Sequence, residues 1–126
     1  MKLLLDTHIW LWFATGSPRL RVLDKLKDLS NELWLSPLST WEVLTLYRKG
    51  RIRLDRDPRE WVTLATAGTR EAPLTHEIAL AERELTIHND PADRLLAATA
   101  LVLDLTLVTA DERLLGLGNI KTIANR

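Results

Sequence analysis

Four dipeptides in this chain join a capping side chain to proline: Ser17-Pro18, Ser36-Pro37, Asp57-Pro58 and Asp90-Pro91. Each sets an oxygen acceptor at an N-cap and a preset backbone angle at the first helical position. Apolar residues at helical spacing follow each one: Leu20, Leu23 and Leu26; Trp41 and Leu44; Trp61, Leu64 and Ala65; Leu95, Leu96 and Thr99. Thr75 supplies a further cap before HEIALAEREL, and Asn31, Gly50 and Gly68 fit the helix stops. Between the helices lie short apolar runs at Lys2–Leu5, Glu32–Leu35, Ala72–Leu74, Thr106–Val108 and Ile120–Ile123. Their continuity, rather than strict alternation, is that of parallel strands covered on both faces. Strands alternating with helices predict an open α/β fold, and Pro73, which cannot donate to a ladder, sends the third run to a sheet edge.

At 126 residues the chain is long enough for one domain with a real core, so residues 1–126 are read as a single unit. Seventeen Lys and Arg balance seventeen Asp and Glu, so nucleic-acid binding would need a local basic patch rather than a global field. The absence of cysteine excludes disulfides, thiolate zinc sites and cysteine nucleophiles. Lys2 and the leucines after it begin like a signal peptide, but Asp6 and His8 interrupt the apolar stretch. No segment has the ~18 uncharged apolar residues of a membrane span. A soluble cytoplasmic protein without a membrane partner is expected.

Four acids fall where an open α/β sheet binds ligands, outside the carboxyl ends of its strands. Asp6 follows the first strand directly, Asp111 follows TLVT, Glu42 lies two turns into the helix after ELWLS, and Asp93 lies in the first turn after Pro91. Each also has a structural reading. Asp6 can cap a helix beginning at Thr7. Asp93 can favour the positive end of its own helix. Ser39-Thr40-Trp41-Glu42 matches a capping box, although a helix started by Ser36-Pro37 puts Glu42 beyond the unpaired amides. Thr109-Ala110-Asp111-Glu112 is another such box, with Glu112 as its acid. If the four acids converge, their repulsion is relieved by a bound divalent cation. All-oxygen ligands select a hard ion, Mg2+ or Mn2+. That arrangement suits phosphodiester hydrolysis.

The segments LLLDTHIWLW, SPLSTWE, DPADRLLAATA and LVTADERLL together resemble the PIN-domain ribonucleases, most closely the VapC-type toxins of toxin–antitoxin pairs. The resemblance spans nearly the whole chain, with the motifs in the family's order. It implies a three-layer α/β/α sandwich with a parallel sheet in the order 3-2-1-4-5 and metal-dependent endoribonuclease activity. On the matching positions, Asp6, Glu42, Asp93 and Asp111 stand as the catalytic, metal-binding acids, with Asp6 and Asp93 as the core ligands. Thr7 and Thr109 fall at small hydroxyl positions beside them and are candidate substrate contacts. Glu-Arg-Leu-Leu after Asp111 departs from the aromatic that many members carry, and Asp90 and Glu112 are extra acids that either join the site or cap. The resemblance also implies a small antitoxin partner, a homodimer, and transfer or ribosomal RNA as substrate.

Outside the acids, RKGRIRL offers Arg48, Lys49 and Arg51 for an RNA backbone, the alternative being a solvated helix end. Arg94 either contacts a phosphate or pairs with a neighbouring acid. His8, His76 and His88 do not form a metal-spaced cluster; His8 is read as a helix-start residue that is close enough to Asp6 to meet substrate. Trp10 and Trp12 cannot both be buried on one helix face, which leaves one for an interface or a tilted core contact. Two other functions fit parts of the chain: a non-catalytic PIN-like RNA-binding module, and a phosphoaspartate phosphatase or receiver. The last lacks the second acid such phosphatases place two residues after the first.

Overall fold

A computed structural model describes residues 1–86 and 90–126. The elements run β1 (Lys2–Leu5), α1 (Thr7–Thr15), α2 (Leu23–Lys27), β2 (Glu32–Leu35), α3 (Pro37–Arg48), α4 (Pro58–Thr66), β3 (Arg70–Glu71), α5 (His76–Glu82), α6 (Pro91–Leu103), β4 (Thr106–Thr109), α7 (Glu112–Leu115) and β5 (Lys121–Ala124). The five strands form one parallel sheet in the order β3-β2-β1-β4-β5. Helices cover both faces, as the unbroken apolar strands require.

β1 is the centre of the sheet because its leucines have somewhere apolar to go on either side. Leu3, Leu4 and Leu5 are fully buried. Leu3 and Leu5 face a core built with α1 to α4 through Ile9, Trp10, Val43 and Trp61. Leu4 faces the opposite core, built with α5 to α7 through Ile78, Leu96, Ala97 and Leu114. Each such burial contributes about 1.5–3 kcal/mol, so a polar substitution in β1 damages both layers. Trp10 ties α1 to α4: its ring meets that of Trp61 edge-on at 5.3 Å, and its Nε1–H donates to the Ala65 carbonyl at 3.0 Å. α1 then stops at Gly16, whose φ of 67° is the left-handed cap that suits glycine.

Three of the four cap–proline pairs start helices as expected: Ser36 caps α3, Asp57 caps α4 and Asp90 caps α6. Thr75 caps α5. Ser17-Pro18 does not start α2. The Ser17 hydroxyl accepts the Arg19 amide in a turn, and α2 begins only at Leu23. α2 also stops at Asp28 rather than at Asn31. α5 ends at Glu82, short of the full HEIALAEREL run. The third strand lies at the sheet edge but over Arg70–Glu71 rather than Ala72–Leu74, because its partner β2 ends at Leu35 and turns into α3; the Ala72 amide makes the last bond, to the Leu35 carbonyl. The last two strands extend or shift by one residue, to Thr106–Thr109 and Lys121–Ala124.

The chain builds outward from β1 through β2 to β3, then returns to the other side of β1 for β4. The reversal leaves a crevice at the carboxyl ends of β1 and β4. Among the described residues no helix is long and apolar enough to cross a membrane.

Candidate active site

At that reversal lies a cleft of about 430 Å3 lined by Asp6, Thr7, His8, Trp12, Arg19, Glu42, Asp90, Asp93, Ala110, Asp111 and Arg113. All four acids singled out from the sequence therefore meet in one cleft, delivered by four different elements. β1 ends at Asp6, α3 carries Glu42 back over the sheet, α6 starts beside Asp93, and the turn after β4 holds Asp111.

Asp6 is both cap and cleft carboxylate. Its Oδ1 accepts the Thr7 amide at 2.8 Å, which starts α1, and its Oδ2 accepts the Thr109 hydroxyl at 2.6 Å. Its own amide donates to the Val108 carbonyl, so backbone pairing fixes its place against β4. Burial pushes the Asp6 carboxyl above the usual carboxylate range; the bonds from Thr109 and Thr7 oppose that, and the charge of Asp93 adds to it.

Glu42 is half-buried, and its Oε1 accepts the Thr7 hydroxyl at 2.7 Å. That same hydroxyl lies 3.0 Å from the Ser39 hydroxyl, which is fully buried. Glu42 is thus held by α1 rather than capping its own helix. Burial raises its carboxyl too; Thr7 lowers it, and Asp6, Asp93 and Asp90 raise it further. Asp6 thus feels the charge of Asp93, and Glu42 those of Asp6 and Asp93, as expected of acids sharing a low-dielectric cleft.

Asp111 departs from its expected setting. It is Asp111, not a Thr109–Glu112 box, that caps α7, through the Arg113 amide at 2.9 Å. Thr109 cannot cap because it is a fully buried strand residue whose hydroxyl serves Asp6 while its oxygen accepts the Asp111 amide at 3.0 Å. Arg113 then folds back over its own cap. Its Nε and Nη2 reach the two Asp111 oxygens at 3.2 and 2.9 Å, and its Nη2 lies 3.7 Å from Asp93. Glu112 faces away and pairs with Arg126 at 3.2 Å. Asp90 caps α6 through the Ala92 and Asp93 amides and also lines the cleft. Among the described residues no three acids or histidines already stand in ligand geometry: the carboxylates share the cleft but are directed at Thr109, Thr7 and Arg113.

The side chains expected to meet RNA are placed differently. Thr109 is fully buried, and Thr7 is nearly so, with its hydroxyl on Glu42; both hold acids. Arg94 turns from the cleft toward α5, where it pairs with the Glu82 carboxylate and donates to the Glu82 and Leu85 carbonyls. Arg48, Lys49 and Arg51 lie at the far end of α3, about 9 Å or more beyond Glu42 along its axis, and do not line the cleft. His76 opens α5, away from the cleft, and His88 lies outside the described residues. Arg19, Arg113, Trp12 and Ser39 belong to the site without having been assigned to it. Arg113 carries a local signal, two residues from Asp111; Arg19 reaches the cleft only through the fold of the loop after α1.

The PIN domain family model matches residues 3–119. The chain is 31% identical over 114 residues to "Ribonuclease VapC22" of Mycobacterium tuberculosis (strain ATCC 25618 / H37Rv), with 88% of each chain covered. Its fold is similar to that of the VapBC2 complex of Rickettsia felis bound to a promoter DNA fragment, with a TM-score of 0.78 at 16% identity and 98% of each chain covered. It is also similar to a toxin–antitoxin complex from Klebsiella pneumoniae, with a TM-score of 0.72 at 16% identity, again over 98% of each chain.

Proposed function

The chain belongs to the PIN-domain family, and from that membership we propose that it is a metal-dependent endoribonuclease, the toxin of a VapBC-type pair, with residues 1–126 acting as one PIN-like domain in the cytoplasm. The observation that carries this reading is the meeting of Asp6, Glu42, Asp93 and Asp111 in one cleft at the sheet reversal. Its similarity to a VapC ribonuclease supplies the reaction class.

The donor set fits a divalent cation. The four acids offer only carboxylate oxygens, and the raised carboxyls of Asp6 and Glu42 carry a charge cost that a cation relieves. Asp6 and Asp93 would be the principal ligands for Mg2+ or Mn2+, with Glu42 and Asp111 completing or orienting the set. An ion held there would supply polarisation of the phosphoryl oxygen and a more acidic water. Thr109 and Thr7 aim the Asp6 and Glu42 carboxylates, and such orienting partners typically matter 10–100-fold, roughly, for metal affinity or activity. Arg19 and Arg113, rather than Arg94 or the Arg48–Arg51 run, are the cations in reach of a phosphate in the cleft.

The substrate is RNA, with transfer or ribosomal RNA as the expected targets. The partner is a small antitoxin, in keeping with the complexes whose fold this chain shares, and the toxin acts as a homodimer. Incubating the purified protein with total RNA in Mn2+ or EDTA, beside Asp93→Asn, tests the enzyme. Cleavage that needs Mn2+ and is lost in Asp93→Asn is expected. Cutting at the wild-type rate in EDTA, or by the variant, overturns the reading. Co-expression with any short reading frame found beside its gene, followed by sizing, tests the partner, and sizing of the protein alone tests the dimer.

A further inference from the structure

α1 begins immediately after Asp6, so whatever its first turns present lies beside the carboxylates. His8 and Trp12 are one turn apart on the same face, with ring centroids 5.9 Å apart and planes tilted by 51°. His8 is exposed, Trp12 is half-buried, and both line the acid cleft. Core packing accounts for Trp10, which is fully buried against Trp61 with its indole N–H satisfied. Trp12 packs against the same core but is only partly buried there, and it also lines the cleft.

We propose that the His8–Trp12 wall is a nucleobase-stacking subsite beside the carboxylates. The inference rests on the ribonuclease reading and deepens it. The cleft sets five carboxylates against two arginines, so the polyanion is repelled from the place where it must be cut. Stacking is indifferent to that charge, because every base offers a π-face to an aromatic ring; its loss by alanine substitution weakens binding by roughly fivefold to a hundredfold per base. Arg19, in the same cleft, has no ion-pair partner among the described residues and is available to the flanking phosphate. A paired helix keeps its bases stacked inside, and its deep, narrow major groove admits no indole. The wall therefore selects against duplex.

The test is fluorescence anisotropy with a short labelled single-stranded RNA of mixed sequence and with its perfect duplex. Asp93→Asn protein is used so that the probe stays intact. Adding Trp12→Leu, which keeps an apolar side chain but removes the π-face, is expected to weaken single-strand binding about tenfold or more. Trp12→Phe is expected to stay within about threefold, and duplex binding to move with neither change. Trp12 also packs against Leu-rich core, so folding is checked by thermal melts. If Trp12→Leu does not fold, the exposed His8→Ala decides, with a single-strand loss of a few-fold expected. Unchanged single-strand affinity, or an equal loss on duplex, overturns the subsite while leaving the nuclease reading intact. Starting protein that binds neither probe overturns both.

Discussion

The Thr109 hydroxyl donates to Asp6 Oδ2 at 2.6 Å, joining the ends of the two central strands where the chain reverses. The same oxygen accepts the Asp111 amide, so one buried side chain orients the first acid and shapes the turn holding the fourth. Thr109→Val keeps the shape and removes both bonds. Two buried polar groups then lose a partner, at a cost of about 1–3 kcal/mol in stability. Mn2+ affinity and cleavage are expected to fall about 10–100-fold. Thr109→Ser should restore both. Denaturant melts and Mn2+ titration by calorimetry separate the two effects; full metal affinity in Thr109→Val would show that Asp6 needs no such guide.

The raised Asp6 carboxyl makes folding pH-dependent in the absence of metal. The folded protein holds this proton more tightly than the unfolded chain, so stability declines as pH rises from the ordinary value of 3.8 through the raised one. The cost then persists at neutral pH. Asp6→Asn removes it while keeping an efficient cap for α1. In EDTA at pH 7 the variant is expected to melt at or above the wild-type temperature, with a flatter melting profile against pH. Adding Mn2+ should raise the wild-type melting temperature and leave the variant unmoved. A variant that melts lower in EDTA at every pH would mean that the charged Asp6 stabilises the fold.

Sequence alone reaches the elements that local chemistry decides. Continuous apolar runs mark four of the five strands, and Ser36, Asp57 and Asp90 each cap the helix that their proline starts. What it misses is decided by distant contacts. Ser17-Pro18 looks no different from the other pairs, but the segment after it is captured by Asn125, which accepts from the Arg21 amide and donates to the Arg19 carbonyl. Asp111 becomes the cap of α7 only because Thr109 is already engaged with Asp6 across the sheet. Asp6, Asp93 and Asp111 were legible because each stands beside a strand end or helix start, and Glu42 because it follows β2 two turns into α3. The cations were not, since their reach depends on long side chains and on which neighbour claims them.

Arg94 illustrates that dependence. Its side chain is only 16% exposed, and it fastens α6 to the end of α5 through the Glu82 carboxylate and two carbonyls. Both carbonyls lie at or just beyond the end of α5. Arg94→Met leaves Glu82 without its cation and is expected to cost about 1–3 kcal/mol, read as a lower melting temperature. A lost phosphate contact on single-stranded RNA would instead shallow the salt dependence of binding by about 0.7 in log–log slope. The slope is expected to stay unchanged; a shift of that size would put Arg94 on the RNA.

Arg113 and a divalent cation are alternatives for Asp111. The guanidinium engages both oxygens of that carboxylate and leans on Asp93, so an ion ligated by either acid must first move it. Arg113→Gln is therefore expected to raise Mn2+ affinity a few-fold, measured by calorimetry without RNA. Loss of one positive charge from the cleft would by itself raise affinity somewhat, and Arg19→Gln measures that contribution, because Arg19 lines the cleft without an ion pair among the described residues. The gain in Arg113→Gln should exceed the gain in Arg19→Gln, with Arg113→Lys, which keeps the charge but cannot form the two-pronged pair, falling between. Equal gains at both positions would reduce Arg113 to background charge.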